Sequence, residues 1–156
     1  GKEPGSRAAL SAEIGIFFTT LTIITGSIWA KTSWGSYWNW DPRETSIVIL
    51  FLIYIAYFTL RWRLAGIESR DRISAIYLIM AAVTVPFFVF IVPRIYPSLH
   101  PDPIINSQKK IHMDIRMIET LCVSILAFSA LYLYLLDLLI RISRIHTMIR
   151  ERDDFS

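Results

Sequence analysis

Cysteine is almost absent from this sequence, since Cys122 is the single cysteine in 156 residues. One cysteine cannot form a disulfide within the chain, and it cannot supply a paired-cysteine metal site or the Cys-x-x-Cys-His motif of a c-type cytochrome. The sequence also contains no His-Glu-x-x-His motif, no glycine-rich phosphate loop and no serine nucleophile elbow. These absences argue against hydrolytic or ATP-driven chemistry by the chain's own side chains.

Apolar residues, in contrast, are abundant. They make up 54% of the sequence, and the mean hydropathy is +0.47. A water-soluble domain of this length would have difficulty burying so much apolar surface, so the composition favours a membrane protein. The net charge of +3 does not indicate nucleic acid, because the arginines lie between apolar segments, as they do at the cytoplasmic ends of membrane helices.

Four apolar segments follow one another along the chain. Each is close to the roughly 20 residues that a helix needs to cross a hydrocarbon core, and each is continuous rather than alternating. We therefore predict an all-α fold, a polytopic transmembrane bundle in one domain over residues 1–156, with a kink in the third helix at Pro86. The predicted helices cover about residues 8–30, 46–62, 73–92 and 118–140.

Lysine and arginine are distributed unequally between the two ends of these segments. Ten of the sixteen lie on the side of the chain ends and of the link between the second and third segments, and six lie on the opposite side. Because cytoplasmic loops carry the excess of basic residues, we predict that both ends of this chain are cytoplasmic. The loops at residues 32–45 and 93–117 are then external.

The first external loop is unusually aromatic. Interfacial belts also contain Trp and Tyr, but four such rings with an acid and a base within ten residues exceed what a belt requires. Aromatic faces can stack on a porphyrin or another flat ring, an arginine can pair with a propionate, and an aspartate can orient that arginine or a backbone turn. The candidate binding residues are Trp34, Tyr37, Trp38, Trp40, Asp41 and Arg43.

His100 is the histidine best suited to bind a ligand. It lies on the predicted external side, and the prolines at positions 97, 101 and 103 hold its backbone extended. A rigidly held histidine that faces the same compartment as an aromatic platform is a candidate axial ligand of haem iron. His112 is interpreted as an interfacial polar residue, and His146 lies in the cytoplasmic tail, where we expect a helical extension and no role for this histidine.

The aromatic loop resembles a known signature. Residues 34–46, WGSYWNWDPRETS, are similar to the tryptophan-rich "WWD" signature of the haem-handling proteins of cytochrome c maturation. GSIWAK at residues 26–31, Pro86 in a later helix and the external His100 fit the same pattern. Over about residues 13–140 the sequence resembles the haem exporter protein C (CcmC) type. The system II CcsA type shares the loop, and the sequence DPRET at residues 41–45 favours that type. The short chain and the spacing to His100 favour the CcmC type.

The resemblance implies a multi-pass protein of the inner (cytoplasmic) membrane that holds haem b on the outer side. The WWD loop would be the platform, with Tyr37 at a position where many members have Trp, and His100 would match the second of two axial histidines. The implied partners are a periplasmic haem chaperone of the CcmE type, the subunits of an ABC-type release complex and membrane lipid, but not nucleic acid. Haem would be captured and presented, without enzymatic turnover.

One departure from the family pattern concerns the first axial histidine, which precedes the WWD loop in the family. This sequence has no histidine before His100, four predicted helices instead of the usual six, and Gly1 in place of an initiator Met. We therefore expect the sequence to be part of a longer gene product. A complete chain would need His112 or a second copy of itself to complete a bis-histidine site.

Three rival interpretations remain open at this point. A system II-type cytochrome c haem lyase would attach haem to Cys-x-x-Cys-His substrates without a haem chaperone. An unrelated small-molecule permease would not co-purify with haem, and polar residues within its helices would matter more than the loop. A purely structural membrane subunit would tolerate changes at Asp41 and Arg43.

Overall fold

The computed structural model describes residues 6–100 and 113–154, and these residues form helices and turns without a strand. The predicted all-α fold class is confirmed. In chain order the elements are α1 (Arg7–Trp34), α2 (Pro42–Arg63), α3 (Arg70–Pro86), a π-helical turn (Phe87–Ile91), α4 (Val92–Ile95) and α5 (Ile115–Asp154).

Four helical stretches within the described ranges are long and apolar enough to cross a membrane. Many of their large apolar side chains are exposed, among them Val83 (75%) and Leu126 (71%). Such exposure is expected where the helix surface meets lipid, because hydrocarbon solvates apolar side chains while the helix satisfies its own backbone. The four stretches are Arg7–Trp34, Pro42–Arg63, Arg70–Ile95 and Ile115–Asp153.

The described residues fall into two compact units, of which one contains residues 6–14 and 113–154. In this unit the first turns of α1 bury small and aliphatic side chains, including Ala9, Leu10 and Ala12. The hydroxyl of Ser11 lies 3.0 Å from that of Tyr132 on α5. Small side chains and interhelical hydroxyl contacts of this kind are typical of helix packing in membranes.

The other unit, residues 15–100, contains a hairpin of α2 and α3. The turn between the two helices includes Gly66 at φ +87°, a backbone conformation that glycine adopts without strain. At this end of the hairpin Arg61 Nη1 donates to Asp71 Oδ1 over 2.8 Å. Further along, Tyr57 is buried and stacks on Tyr77, with 6.2 Å between their ring centroids.

The α-helical geometry of the third stretch ends at Pro86, the residue where the sequence predicts a kink. A proline lacks the N–H group that would bond to the preceding turn, and a π-helical turn follows over Phe87–Ile91. The buried Ser46 of α2 places its Oγ 2.6 Å from the carbonyl oxygen of Phe88 in this turn and 2.6 Å from that of Pro42. One hydroxyl therefore links the start of α2 to the irregular backbone.

The helices are longer than their apolar segments. α1 continues to Trp34 and α2 begins at Pro42, so the connection expected over residues 32–45 is limited to residues 35–41. Trp34 consequently lies on a helix, and Arg43 lies in the first turn of α2. α5 also includes the tail as far as Asp154, where the sequence predicts a helical extension.

Candidate functional site

The connection between α1 and α2 begins where α1 is stopped by Gly35, which has φ +81°. Lys31 Nζ donates a 2.8 Å hydrogen bond to the carbonyl oxygen of Gly35 and lies 5.5 Å from the ring centroid of Tyr37. A cation at this position also interacts favourably with the negative end of the α1 dipole. The lysine therefore secures the end of the helix and the first residues of the aromatic connection.

α2 begins with a capping box built by Asp41 and Glu44. Asp41 Oδ1 accepts a 2.9 Å hydrogen bond from the Arg43 N–H, and Glu44 Oε2 accepts from the N–H groups of Asp41 (3.2 Å) and Asn39 (2.8 Å). Pro42 occupies the first turn, where its missing N–H costs nothing. An aspartate cap of this kind typically stabilises a helix by about 1 kcal/mol.

Asp41 also contacts the segment that leads out of α4. Its Oδ2 accepts hydrogen bonds from the Ser98 hydroxyl (2.8 Å) and from the Leu99 N–H (2.6 Å). Its Oδ1 lies 3.0 Å from Nδ1 of His100. The Asp41 side chain has no exposed surface, whereas that of His100 is 22% exposed. One buried carboxylate thus joins the start of α2 to a histidine 59 residues later in the sequence.

The charge state of Asp41 follows from these contacts. Burial alone would raise the pKa of the carboxyl by disfavouring its charged form. The hydrogen bonds from the Arg43 and Leu99 N–H groups and from the Ser98 hydroxyl, with the nearby His100, outweigh burial and hold the pKa below its usual value. Asp41 is therefore an ionised, acceptor-only group at neutral pH.

An ionised Asp41 determines the tautomer of His100. Because the carboxylate can only accept, the hydrogen bond of 3.0 Å requires a proton on Nδ1. In the neutral ring Nε2 then carries the available lone pair, which is the form that binds a metal ion. The ring itself packs against two indoles of α1, with centroid distances of 4.7 Å to Trp34 and 5.8 Å to Trp29.

His100 and these indoles border a cavity of about 210 Å³. The walls come from the C-terminal half of α1, the aromatic connection and the first turns of α2. Of the residues that the sequence singles out, Trp34, Trp38, Arg43 and His100 line the cavity. The other lining residues are Thr22, Ile23, Gly26, Ser27, Trp29, Glu44 and Ile47.

The remaining candidates lie outside the cavity wall. Tyr37 and Trp40 are 59% and 76% exposed, and Asp41 contacts His100 through Nδ1 instead of lining the cavity. The Trp38 and Trp40 rings are perpendicular, with centroids 5.9 Å apart, so the aromatic rings do not form one flat surface. The Asp41 carboxylate accepts a hydrogen bond from the backbone N–H of Arg43 and also contacts His100.

Trp29 and Gly26 are cavity residues that sequence reasoning does not assign to the site. From the sequence, the small and polar residues of α1 are explained by helix packing alone. A signal is nevertheless present, because positions 22, 26 and 29 follow the i, i+4, i+7 spacing of one helix face, and this face lines the cavity. His112 and the prolines at 101 and 103 lie outside the described residues.

Comparison with known proteins gives a consistent family. A family model described as "Heme exporter protein C" matches residues 5–155. The Heme exporter protein C of Bradyrhizobium diazoefficiens is 35% identical over 129 residues, which are 82% of this chain and 48% of that protein. That of Rhodobacter capsulatus is 30% identical over 145 residues, which are 93% of this chain and 58% of that protein. The chain thus spans about half the length of the curated relatives it matches.

A second group of relatives shares a shorter part of the sequence. The protein named "Cytochrome c biogenesis protein CcsA" of Manihot esculenta is 42% identical over 69 residues, which are 43% of this chain and 21% of that protein. Similarity to the first group therefore covers most of the chain, whereas similarity to the second is higher but covers less than half of it.

Proposed function

Because the chain belongs to the haem exporter protein C family, we propose that it binds haem at His100 and handles it for the assembly of c-type cytochromes. The observation that carries this proposal is the fixed His100 ring. Its Nδ1 is held by a buried carboxylate, its ring packs against two indoles, and it borders a cavity. A histidine held in this way is suited to bind iron through Nε2.

Different cavity residues bind different parts of haem. His100 supplies an axial ligand to the iron, Trp34 and Trp38 pack against the porphyrin, and Arg43 pairs with a propionate. The cavity volume of about 210 Å³ is smaller than the roughly 300–1,000 Å³ of pockets that enclose a ligand. Haem therefore lies partly outside it, where the exposed rings of Tyr37 and Trp40 can cover the remaining face. Binding without a covalent attachment is the behaviour of haem b.

Haem is in this view a cargo, and the protein needs no catalytic turnover of its own. An open, partly enclosing site holds a ligand that must be passed on. We propose that the recipient is a periplasmic haem chaperone of the CcmE type, with subunits of an ABC-type complex driving release. The excess of basic residues on the opposite side supports an external position for the site, on the outer face of the inner membrane, with both ends of this chain cytoplasmic.

A second candidate function is haem attachment by a system II-type cytochrome c synthase. It is favoured by the 42% identity with the CcsA protein of Manihot esculenta over 69 residues. The two functions differ in the step after haem binding, because a synthase joins haem to a Cys-x-x-Cys-His substrate directly. Attachment in cells that lack a CcmE-type chaperone would favour the synthase.

An absorption spectrum of the detergent-purified protein tests the proposal. We expect a Soret band that weakens in His100→Ala, through loss of the iron ligand, and in Trp38→Ala, through loss of ring packing worth about 2- to 10-fold in affinity. His146→Ala and Trp62→Ala are matched controls, because both side chains are exposed and neither lines the cavity. A wild-type protein that takes up no haem, or equal losses in the controls, would refute it.

A further inference from the structure

The geometry points to Asp41 as the positioning residue of His100, the group that fixes the ring so that Nε2 is presented to haem iron. This inference rests on the proposed function and deepens it. It differs from a role of Asp41 in the haem platform itself, because Asp41 has a fully buried side chain and is absent from the cavity wall. The carboxylate therefore acts on haem through the imidazole.

The number of contacts distinguishes this role from ordinary helix capping. A cap needs one side-chain oxygen that accepts one N–H group from the first turn, and the Arg43 N–H meets that need at 2.9 Å. Asp41 accepts three further hydrogen bonds, from Ser98 Oγ, Leu99 N and His100 Nδ1. All three come from consecutive residues around the histidine, so the same carboxylate fixes both the backbone and the ring of His100.

The backbone of His100 is held through the same group. Its N–H donates to Ser98 Oγ over 3.1 Å, and that hydroxyl donates in turn to Asp41 over 2.8 Å. Asp41 is itself held by Glu44, whose carboxylate accepts the Asp41 N–H. The start of α2 therefore serves as a rigid base, and two successive hydrogen bonds carry its position to the main chain of the histidine.

The bond to Nδ1 has consequences for the metal-binding nitrogen. It keeps the proton on Nδ1, so Nε2 holds a lone pair, and it prevents rotation of the ring away from that orientation. A carboxylate behind a metal-binding histidine also raises the basicity of the ring, and loss of such a partner typically lowers metal affinity about 10- to 100-fold. A more basic ligand stabilises ferric haem, so the bond also lowers the midpoint potential.

Asp41→Asn is the sharpest variant, because Asn is as good an N-cap as Asp but its amide has one acceptor oxygen in place of two. The cap to Arg43 and the contact with His100 both use Oδ1 and are kept in the variant. The contacts of Oδ2 with Ser98 and Leu99 and the negative charge behind His100 are lost. Ser46→Ala is the matched control. It removes a buried hydroxyl from the same end of α2, but it leaves Asp41, His100 and the cavity lining unchanged.

Three measurements separate positioning from folding. Nitrogen-15 NMR of the haem-free protein reports which ring nitrogen carries the proton, with His100→Ala assigning the signal. Haem titration and a spectroelectrochemical midpoint then report affinity and potential. In the wild type we expect the proton on Nδ1. In Asp41→Asn we expect a 10- to 100-fold loss of affinity and a more positive midpoint, whereas Ser46→Ala keeps the wild-type values.

Two outcomes would overturn the inference. One is a wild-type haem affinity and midpoint potential in Asp41→Asn. The other is an equal loss of affinity in Ser46→Ala, which would reduce Asp41 to a support of α2. Failure of the proposed haem binding at His100 would give a different experimental result. If His100→Ala left haem binding unchanged, the proposed function would fail, while the tautomer of the haem-free protein would still report whether Asp41 positions the ring.

Discussion

Trp40 combines a strained backbone with an exposed side chain. Its φ of +56° is left-handed, a region that costs a residue with a Cβ roughly 1–2 kcal/mol. The side chain is 76% exposed, so packing within the described residues returns little of that cost. Backbone strain of this kind tends to persist at functional sites. Here it brings the chain into the capping position of Asp41 and leaves an indole available at the rim of the site.

Replacing Trp40 by Asn tests this reasoning. Asn tolerates the left-handed region because its short side chain can bond locally to the backbone, so Trp40→Asn should raise the free energy of unfolding by about 1 kcal/mol. Haem retention should fall at the same time if the exposed indole covers the porphyrin. Thermal unfolding in detergent, with and without haem, measures both effects.

Trp62→Asn is the control for exposed tryptophans in general. Trp62 is 73% exposed and lies within α2, where Asn is a poorer helix former than Trp by a few tenths of a kcal/mol. It should slightly lower stability and leave haem retention unchanged. A stability gain in this control, or none in Trp40→Asn, would argue against strain at Trp40.

At the scale of elements, the C-terminal half of α1 forms one wall of the cavity. Gly26 is central to this wall, and a Cβ added there would meet nothing within 4 Å outside its own helix and chain neighbours. A helix gains about 1 kcal/mol when glycine is replaced by alanine, so packing and propensity alone would favour a larger residue. The glycine keeps the cavity open at the expense of helix stability.

This argument predicts opposite effects on stability and on binding. Gly26→Leu should preserve or raise the unfolding temperature, because no atom blocks the first carbon of its side chain, and it should weaken haem binding by filling the cavity. Gly26→Ala is the graded control, with a stability gain of about 0.5–1 kcal/mol and a small effect on haem. Haem titration beside thermal unfolding measures the contrast, and unchanged binding in Gly26→Leu would place haem elsewhere.

The element boundaries show how far sequence reasoning extends. Apolar runs located all four long helices, because hydropathy reports the lipid-facing part of a helix. They missed the ends, since Trp34 and Arg43 are interfacial residues that still belong to helices. The sequence nevertheless contains a signal for the start of α2. An Asp followed by Pro and, three residues after the Asp, by Glu is the pattern of a capping box.

Contacts between residues that are distant in the sequence could not be predicted from local sequence patterns. Asp41 and His100 both stand out in the sequence, but nothing in their local patterns brings together two residues 59 positions apart. That contact depends on how the end of α4 returns to the start of α2. The inclusion of Trp29 in the cavity likewise depends on which face of α1 meets that segment.

For the whole molecule, the number of crossings determines which loops share a compartment. If all four apolar helices cross the membrane, the two ends of the described chain are predicted to lie on one side and the connection at residues 35–41 on the other. The turn between α2 and α3 then returns to the side of the ends. The basic residues concentrate at this turn and at the ends, which predicts that side to be cytoplasmic.

Single cysteines test this topology. In a Cys122→Ser background, which removes the only native thiol, a membrane-impermeant maleimide added to intact cells with a permeable outer membrane should label Ser36→Cys. Glu68→Cys, in the turn before α3, should be labelled only after lysis, because α2 and the membrane separate the two positions. Labelling of both without lysis would show that α2 does not cross, and the reverse pattern would invert the orientation.

The length of α5 has a consequence for the space beyond the membrane. Its 40 residues rise about 60 Å, roughly twice the 30 Å thickness of a hydrocarbon core. Charged residues begin again at Asp137, which pairs with Arg141 over 2.7 Å, so the surplus lies at the C-terminal end. A partner bound to the helix near Arg150 would lie roughly 20 Å beyond the lipid tails. Any tilt of the membrane-embedded part of α5 would displace that partner sideways.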